Sequence, residues 1–282
     1  MKVAIIKPVA LTHIPKETVL SIEAAEDYLK NALSMGELPE IEIVKKFYPE
    51  TFPIDANRNM AVATILEEGF DTTIWLDMDQ TFPIDFFVRM LKSPHRITAG
   101  VYHLKVNPYN PIVFRETGDS GFTWFKPIIF YPENDYFQAD MIGMGAVRID
   151  TVVFKQIAEK QIAAGEEFPE FFRYGQNPIT VEMVDGIKND TQKKHVDLKR
   201  KYKIRDVSED VYFWRQVKEL TDYKIMVDPR IQCGHVGKLV ADHVLFKSFR
   251  DGVLDRIKVE SPEKYEKLMG NICRADQISS EN

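Results

Sequence analysis

The chain has 282 residues, of which 44% are hydrophobic and 28% charged, proportions of a globular protein rather than a disordered, collagen-like or disulfide-scaffold one. Its formal net charge of −6 gives no global attraction to nucleic acid or anionic membrane. Two cysteines, Cys233 and Cys273, cannot build a disulfide framework or a four-ligand zinc site unaided. The longest apolar run, Met60 to Leu66, is far short of the roughly 18 residues of a membrane span. The N-terminus reads as a buried strand rather than a secretory signal, so a cytoplasmic protein is expected.

The first hundred residues alternate β-rich apolar runs with helical patterns, which predicts an α/β fold with a mostly parallel sheet. Val3 to Ile6 is the first strand. Val19, Ile22, Ala25, Leu29 and Leu33 recur at helical spacing and predict a helix packed on the sheet. Ile41 to Val44 follows as a strand, and then a helix from an N-cap at Asp55 through Glu68, stopped by Gly69. The apolar strand Thr72 to Leu76 runs into Asp77-Met78-Asp79, which places two carboxylates where open α/β sheets bind their ligands. A short helix at Asp85 to Leu91 and a strand at Ile97 to Tyr102 come next.

The proline-rich stretch 107–137 predicts antiparallel excursions. Gly143-Met144-Gly145 leads into a strand at Ala146 to Ile149 and a helix from Thr151 to Ala163. Residues 165–205 read as a loop ending in a basic run, 193–205, either a solvated face or a flap over an anionic ligand. Glu209-Asp210 opens another helix, to Leu220, and Lys224 to Val227 is a further strand before Cys233-Gly-His235. Beyond Leu239 two amphipathic helices and a polar end are expected.

Each acidic or histidine position has an ordinary explanation as a turn residue, helix cap or satisfied side chain. Their order is more specific. Asn57-Arg58-Asn59, Gly69-Phe-Asp71, Asp77-Met-Asp79 with Phe82-Pro83, Ala99-Gly-Val-Tyr102, Asp140 through Val147, Ser208-Glu-Asp210, Asp228-Pro229 and Cys233-Gly-His235 follow one another over residues 1–240. This succession resembles the GT-A-fold glycosyltransferases, DxD-containing, family-2-like enzymes that use nucleotide sugars on a Rossmann-like sheet. The resemblance implies one domain over residues 1–238, with a nucleotide-binding half (1–105) and an acceptor half (106–238), followed by a helical extension over 239–282.

The resemblance also implies site residues. Asp79, Asp77 and His235 would be the metal set, for Mn2+ or Mg2+, with Asp79 and His235 as direct ligands and Asp77 on the ribose or a metal-bound water, since a hard cation neutralises the charge left on a departing diphosphate and an imidazole favours Mn2+. Pro8, Arg58, Asp77 and Met78 would meet the nucleotide, and Tyr102, Gly143, Met144 and Gly145 would line the sugar and acceptor side. Asp210, with Glu209, would supply the general base for an acceptor hydroxyl if the anomeric configuration inverts, or steady positive charge at the sugar if it is retained. The implied partner is a nucleoside-diphosphate sugar; the acceptor and the oligomeric state stay open. There is no QxxRW motif of processive synthases, which favours single-sugar transfer.

Three alternatives stand beside this one. Ile74 through Thr81 also fits the strand-DxDxT pattern of haloacid-dehalogenase-like phosphatases, with Asp77 as nucleophile. A non-catalytic sugar-nucleotide-binding domain would need the same fold. A dinucleotide oxidoreductase is disfavoured because Arg148 stands where the third glycine of its phosphate loop belongs.

Overall fold

A computed structural model describes residues 1–8, 13–38, 41–48, 53–117, 124–175, 208–237 and 240–267, with isolated positions at 190, 193, 194, 197, 201 and 269. Most of the basic run 193–205, and Cys273, lie outside the described residues.

The chain is an α/β protein built on a seven-stranded sheet in the order β2-β1-β3-β10-β5-β11-β8. These strands are β1 (Lys2–Pro8), β2 (Glu42–Tyr48), β3 (Thr72–Leu76), β5 (Ile97–Val101), β8 (Phe137–Ala139), β10 (Ala146–Asp150) and β11 (Ile225–Gln232). β1 is parallel to both β2 and β3, and β11 is parallel to β5. β10 runs antiparallel between β3 and β5, and β8 antiparallel on the edge. The parallel strands therefore deliver their carboxyl ends, and β10 its amino end, to one side of the molecule.

Side chains alternate across each strand, so every apolar strand feeds two layers. Val3, Ile5, Ile74 and Leu76 pack with helices α1 (Lys16–Ser34) and α3 (Phe86–Lys92). Ala4, Ile6 and Trp75 pack on the other face with α2 (Ile54–Glu67), α4 (Thr151–Ala163) and α5 (Glu209–Leu220). Burial of both faces suits the apolar Ile74-Trp75-Leu76 of β3, while in β10 it also encloses the charged Arg148 and Asp150.

The helix faces differ from expectation in detail. α1 buries Thr18, Ile22, Ala25, Leu29 and Ala32, while Val19 is 37% exposed. Ile22, Ala25 and Leu29 face inward as expected, and only at the two ends does the most buried position fall one residue earlier, at Thr18 and Ala32, with Leu33 partly buried. α2 is capped by Pro53 rather than Asp55, with no side-chain cap; Asp55 sits in the first turn, where its carboxylate suits the helix dipole. Gly69 adopts φ +69, as expected of a left-handed stop after α2.

The antiparallel excursion expected within 107–137 is one small sheet, and a second small antiparallel sheet forms outside that stretch. β6 (Val113–Thr117) pairs with β7 (Trp124–Pro127) and β9 (Met141–Ile142). β12 (Gly234–Val236) pairs with β13 (Val240–Ala241) and with β4 (Gln80–Thr81). After Leu239 comes α6 (His243–Glu260), capped by Asp242, and residues 262–267 are again helical. Among the described residues no helix is long and apolar enough to cross a membrane.

Candidate active site

The carboxyl ends of the parallel strands gather residues that are far apart in sequence. Asp77 follows β3, and its N–H donates to the Gly145 carbonyl (3.0 Å), which ties it to the start of β10. Glu209 and Asp210 open α5, whose cap Ser208 accepts from the Val211 N–H (3.5 Å). Arg58, on the first turns of α2, lies between them. Its Nη1 donates to Glu209 Oε1 (2.7 Å) and to Asp210 Oδ1, and its Nη2 reaches Asp77 Oδ1 at 3.5 Å.

Arg58 is only 3% exposed and sits 5.7 Å from the Phe172 ring centroid. That ring belongs to an aromatic floor in which Phe172 stacks on Phe213 at 4.8 Å and meets Trp75 at 5.8 Å. Asn59 fixes the floor, accepting from the N–H groups of Phe171 and Phe172 and donating to the Phe172 carbonyl. Arg58 is thus spent on three carboxylates rather than presented to solvent, which differs from a role as a free phosphate ligand.

The electrostatics follow from this crowding. Burial raises Asp77 to about 6; the repulsion of Asp210 and Asp79 adds to the rise and the Arg58 guanidinium opposes it. Burial likewise raises Glu209 to about 6, with Asp210 adding and Arg58 opposing, and the Tyr174 hydroxyl hydrogen-bonds its carboxylate. Asp210 keeps 24% of its side chain exposed against 9% for Glu209. Its second oxygen accepts from the Met144 N–H at 3.4 Å.

Asp79 and His235 form the other wing. Pairing of β12 with β4 sets His235 opposite Gln80, and the Val236 N–H donates to the Asp79 carbonyl (2.7 Å). The His235 Nδ1 lies 2.8 Å from the His103 carbonyl, so Nδ1 carries the proton and donates, and Nε2 faces Asp79 Oδ2 at 3.5 Å. Burial works against ionisation of Asp79, but hydrogen bonds from His235 and Lys105 outweigh it and hold the carboxyl at about 2.

The expected metal triad does not assemble as three ligands. Among the described residues no group of three His, Cys, Asp or Glu side chains is arranged to hold a cation. Asp77 turns to Arg58, whereas Asp79 and the Nε2 of His235 face one another, and with Nδ1 held by the His103 carbonyl Nε2 is the nitrogen left to a cation in place of the hydrogen bond to Asp79. Within the expected set only that pair has its ligand atoms facing one another, and the Lys105 ammonium bonds the same Asp79 oxygen.

The remaining expected residues divide by burial. The Met78 and Met144 side chains belong to the core, at 6% and 1% exposure, so only their backbones are available to the cleft. Pro8 ends β1 among buried residues. Tyr102 is 4% exposed, and its hydroxyl accepts from the Gly145 N–H (3.4 Å). A Cβ on Gly143 would lie 1.7 Å from the Tyr102 hydroxyl, and one on Gly145 would lie 2.0 Å from Gln80 Nε2 and 2.5 Å from Asp77 Oδ2. Both glycines are therefore required by the close approach of Tyr102, Gln80 and Asp77.

Four contributors went unread in the sequence: Lys105 on Asp79, Tyr174 on Glu209, the His103 carbonyl on His235, and Gln80. Gln80 is fully buried beside Gly145, and neither side-chain polar atom has a partner among the described residues. Its place next to Asp79 was the one available signal; Lys105 and Tyr174 lie in loops with none.

Comparison with known proteins gives no family model and no curated protein that matches. Solved structures with similar folds include A197 from STIV, at 16% identity and a TM-score of 0.45, covering 84% of this chain and 86% of that one. GalNAc-T7 with UDP, GalNAc and Mn2+ is similar at 9% identity and a TM-score of 0.45, over 84% of this chain but 43% of that one. The 4-diphosphocytidyl-2C-methyl-D-erythritol synthase from Anaerococcus prevotii DSM 20548 follows at 11% identity and a TM-score of 0.35, over 80% and 87%. Likenesses this distant carry no argument about activity, which rests on the site itself.

Proposed function

We propose that the chain is a GT-A-type glycosyltransferase that moves one sugar from a nucleoside-diphosphate sugar to a hydroxyl acceptor. The observation that carries this reading is the convergence of Asp77, Asp79, Glu209-Asp210 and His235 at the carboxyl side of the parallel sheet, where such sheets take nucleotides. In this reading residues 1–105 form the donor half, residues 106–238 the acceptor half, and residues 239–282 an extension.

Asp79 and His235 would hold Mn2+ or Mg2+, with water and donor oxygens completing the shell. When bound, the cation neutralises the charge that develops on the leaving diphosphate. Asp77, poised between its two protonation states near pH 6, accepts from or donates to a ribose hydroxyl. Of the two acids on α5, Asp210 is the more exposed and reaches the acceptor hydroxyl as general base. Glu209 and Arg58 position it, and the Met144 N–H orients its second oxygen. The buried Tyr102 and the two glycines shape the sugar side.

The test is a thermal-shift panel of nucleoside diphosphates and nucleotide sugars with and without Mn2+. A Mn2+-dependent rise for one nucleotide family supports the reading, since a ligand bound only by the folded state raises the melting temperature. No rise for any of them overturns it. Proton NMR of the product then assigns Asp210: an inverted anomer fits the general base, a retained one does not.

A further inference from the structure

A cavity lies apart from the acidic cleft. About 920 Å³ opens at the opposite end of the sheet, against His95 and Arg96 ahead of β5 and Asp222 to Lys224 ahead of β11. β5 and β11 are parallel, so this cavity lies at their amino ends while Tyr102 and His235 follow their carboxyl ends. Met226 near the start of β11 lines the cavity, and along its other wall Tyr131 reaches Gln232 at the end of that strand and His243 Nδ1 at 3.2 Å.

The lining is basic and aromatic. Arg96, Arg115, Lys126 and Lys224 face one carboxylate, Asp222, in a protein whose net charge is −6. Arg96 is committed to Asp150 (3.0 Å), and Arg115 donates to the Gln138 carbonyl (3.1 Å). Lys126 and Lys224 are exposed, and their ammonium groups bond to no described residue. Around them stand ring faces already fixed in place: Tyr136 meets His95 at 4.7 Å and lies under Arg230 at 5.1 Å, and Tyr131 stacks on Phe137 at 5.2 Å.

We propose that this cavity is a second, separate binding site, for a small phosphorylated ring compound of the nucleotide or sugar-phosphate class. Two ammonium groups with no partner among the described residues match the double charge of a phosphate better than the single charge of a carboxylate, and ordered aromatic faces take a base or the apolar face of a sugar. The volume is that of a small-molecule pocket. A long polyanion is disfavoured because the rest of the protein carries excess negative charge. The assignment does not depend on the glycosyl-transfer reading.

Calorimetry on the full chain, with EDTA to keep metal-dependent binding silent, tests it with uridine monophosphate, glucose 1-phosphate and inorganic phosphate as probes. The expected result is that uridine monophosphate or glucose 1-phosphate binds more tightly than phosphate. That binding is at least tenfold weaker in Lys126→Glu/Lys224→Glu, several-fold weaker in the milder Lys126→Gln/Lys224→Gln, and unchanged in Asp79→Asn/His235→Ala. Whichever ring compound binds distinguishes the two sources. Absence of binding by both ring compounds at millimolar concentration overturns the proposal. So does equal affinity for inorganic phosphate, affinity unmoved by the lysine variants, or loss in Asp79→Asn/His235→Ala.

Discussion

Replacing Arg58 with methionine withdraws a buried guanidinium from among three carboxylates while keeping the volume of the side chain. Arg58 and Glu209 expose only 4% and 9% of their side chains, and breaking a pair this buried costs about 3–5 kcal/mol, because the orphaned charge stays desolvated. The loss should depend on pH. In the intact protein Asp77 rises from 3.8 to about 6 and Glu209 from 4.5 to about 6, so the folded chain binds protons more tightly than the unfolded one. Their contribution to stability is greatest below pH 4, falls as pH rises from about 4 to 6, and is level above that. At about 1.4 kcal/mol per pH unit the Glu209 displacement is worth ~2 kcal/mol. Arg58 restrains both rises, so its loss pushes both carboxyls higher and extends the falling window above pH 6. Urea unfolding of Arg58→Met should therefore show a loss of about 3–5 kcal/mol at pH 8 and roughly half that at pH 5, where protonated carboxyls need no counter-charge. Equal losses at the two pH values, or a loss below ~1 kcal/mol at pH 8, would refute the reasoning.

Asp79 behaves in the opposite sense. Held at about 2, it stabilises the fold above pH 4 and loses that contribution as pH falls from about 4 to 2; Lys105→Met should raise its midpoint in a carboxyl carbon NMR titration, and an unmoved midpoint would count against the pair. Gly143→Ala drives its methyl into the Tyr102 hydroxyl and should cost about 1–3 kcal/mol in chemical denaturation, of which Tyr102→Phe in the same chain restores part; no restoration would place the strain elsewhere. Gly145→Ala, against Gln80 and Asp77, should lower stability and also shift the Asp77 titration, whereas a stability loss with Asp77 unmoved would separate the glycine from the site. Hydrolysis of p-nitrophenyl phosphate with Mg2+ should be absent, and turnover abolished by Asp77→Asn would favour the phosphatase chemistry instead.

The fold was readable where a local pattern decides it. β3 occupies Thr72–Leu76 and α4 Thr151–Ala163 as expected, because a doubly buried strand is short and dense in β-branched and apolar residues and the helix has a clean start after β10. The antiparallel direction of β10 was not readable, since direction depends on pairing with β3 and β5 rather than on its own residues. Arg148 shows the same limit. Inside β10 it is buried, donating to the Met90, Ser93 and His95 carbonyls and to Asp150, a network that no spacing rule exposes. At the site the acidic positions were legible, but their partners were not. Arg58 was expected to meet the nucleotide and is a buried counter-charge, because the carboxylates that surround it come from the end of β3 and the start of α5, 19 and about 150 residues away.

The central claim is that Asp79 and His235 form the metal-bearing wing of a nucleotide-sugar site. Calorimetric titration of the nucleoside diphosphate selected by the thermal-shift panel, with and without Mn2+, tests it most directly. The account predicts binding that requires Mn2+ and weakens at least tenfold in both Asp79→Asn and His235→Ala. Binding that ignores the metal, or that both variants leave intact, would contradict it.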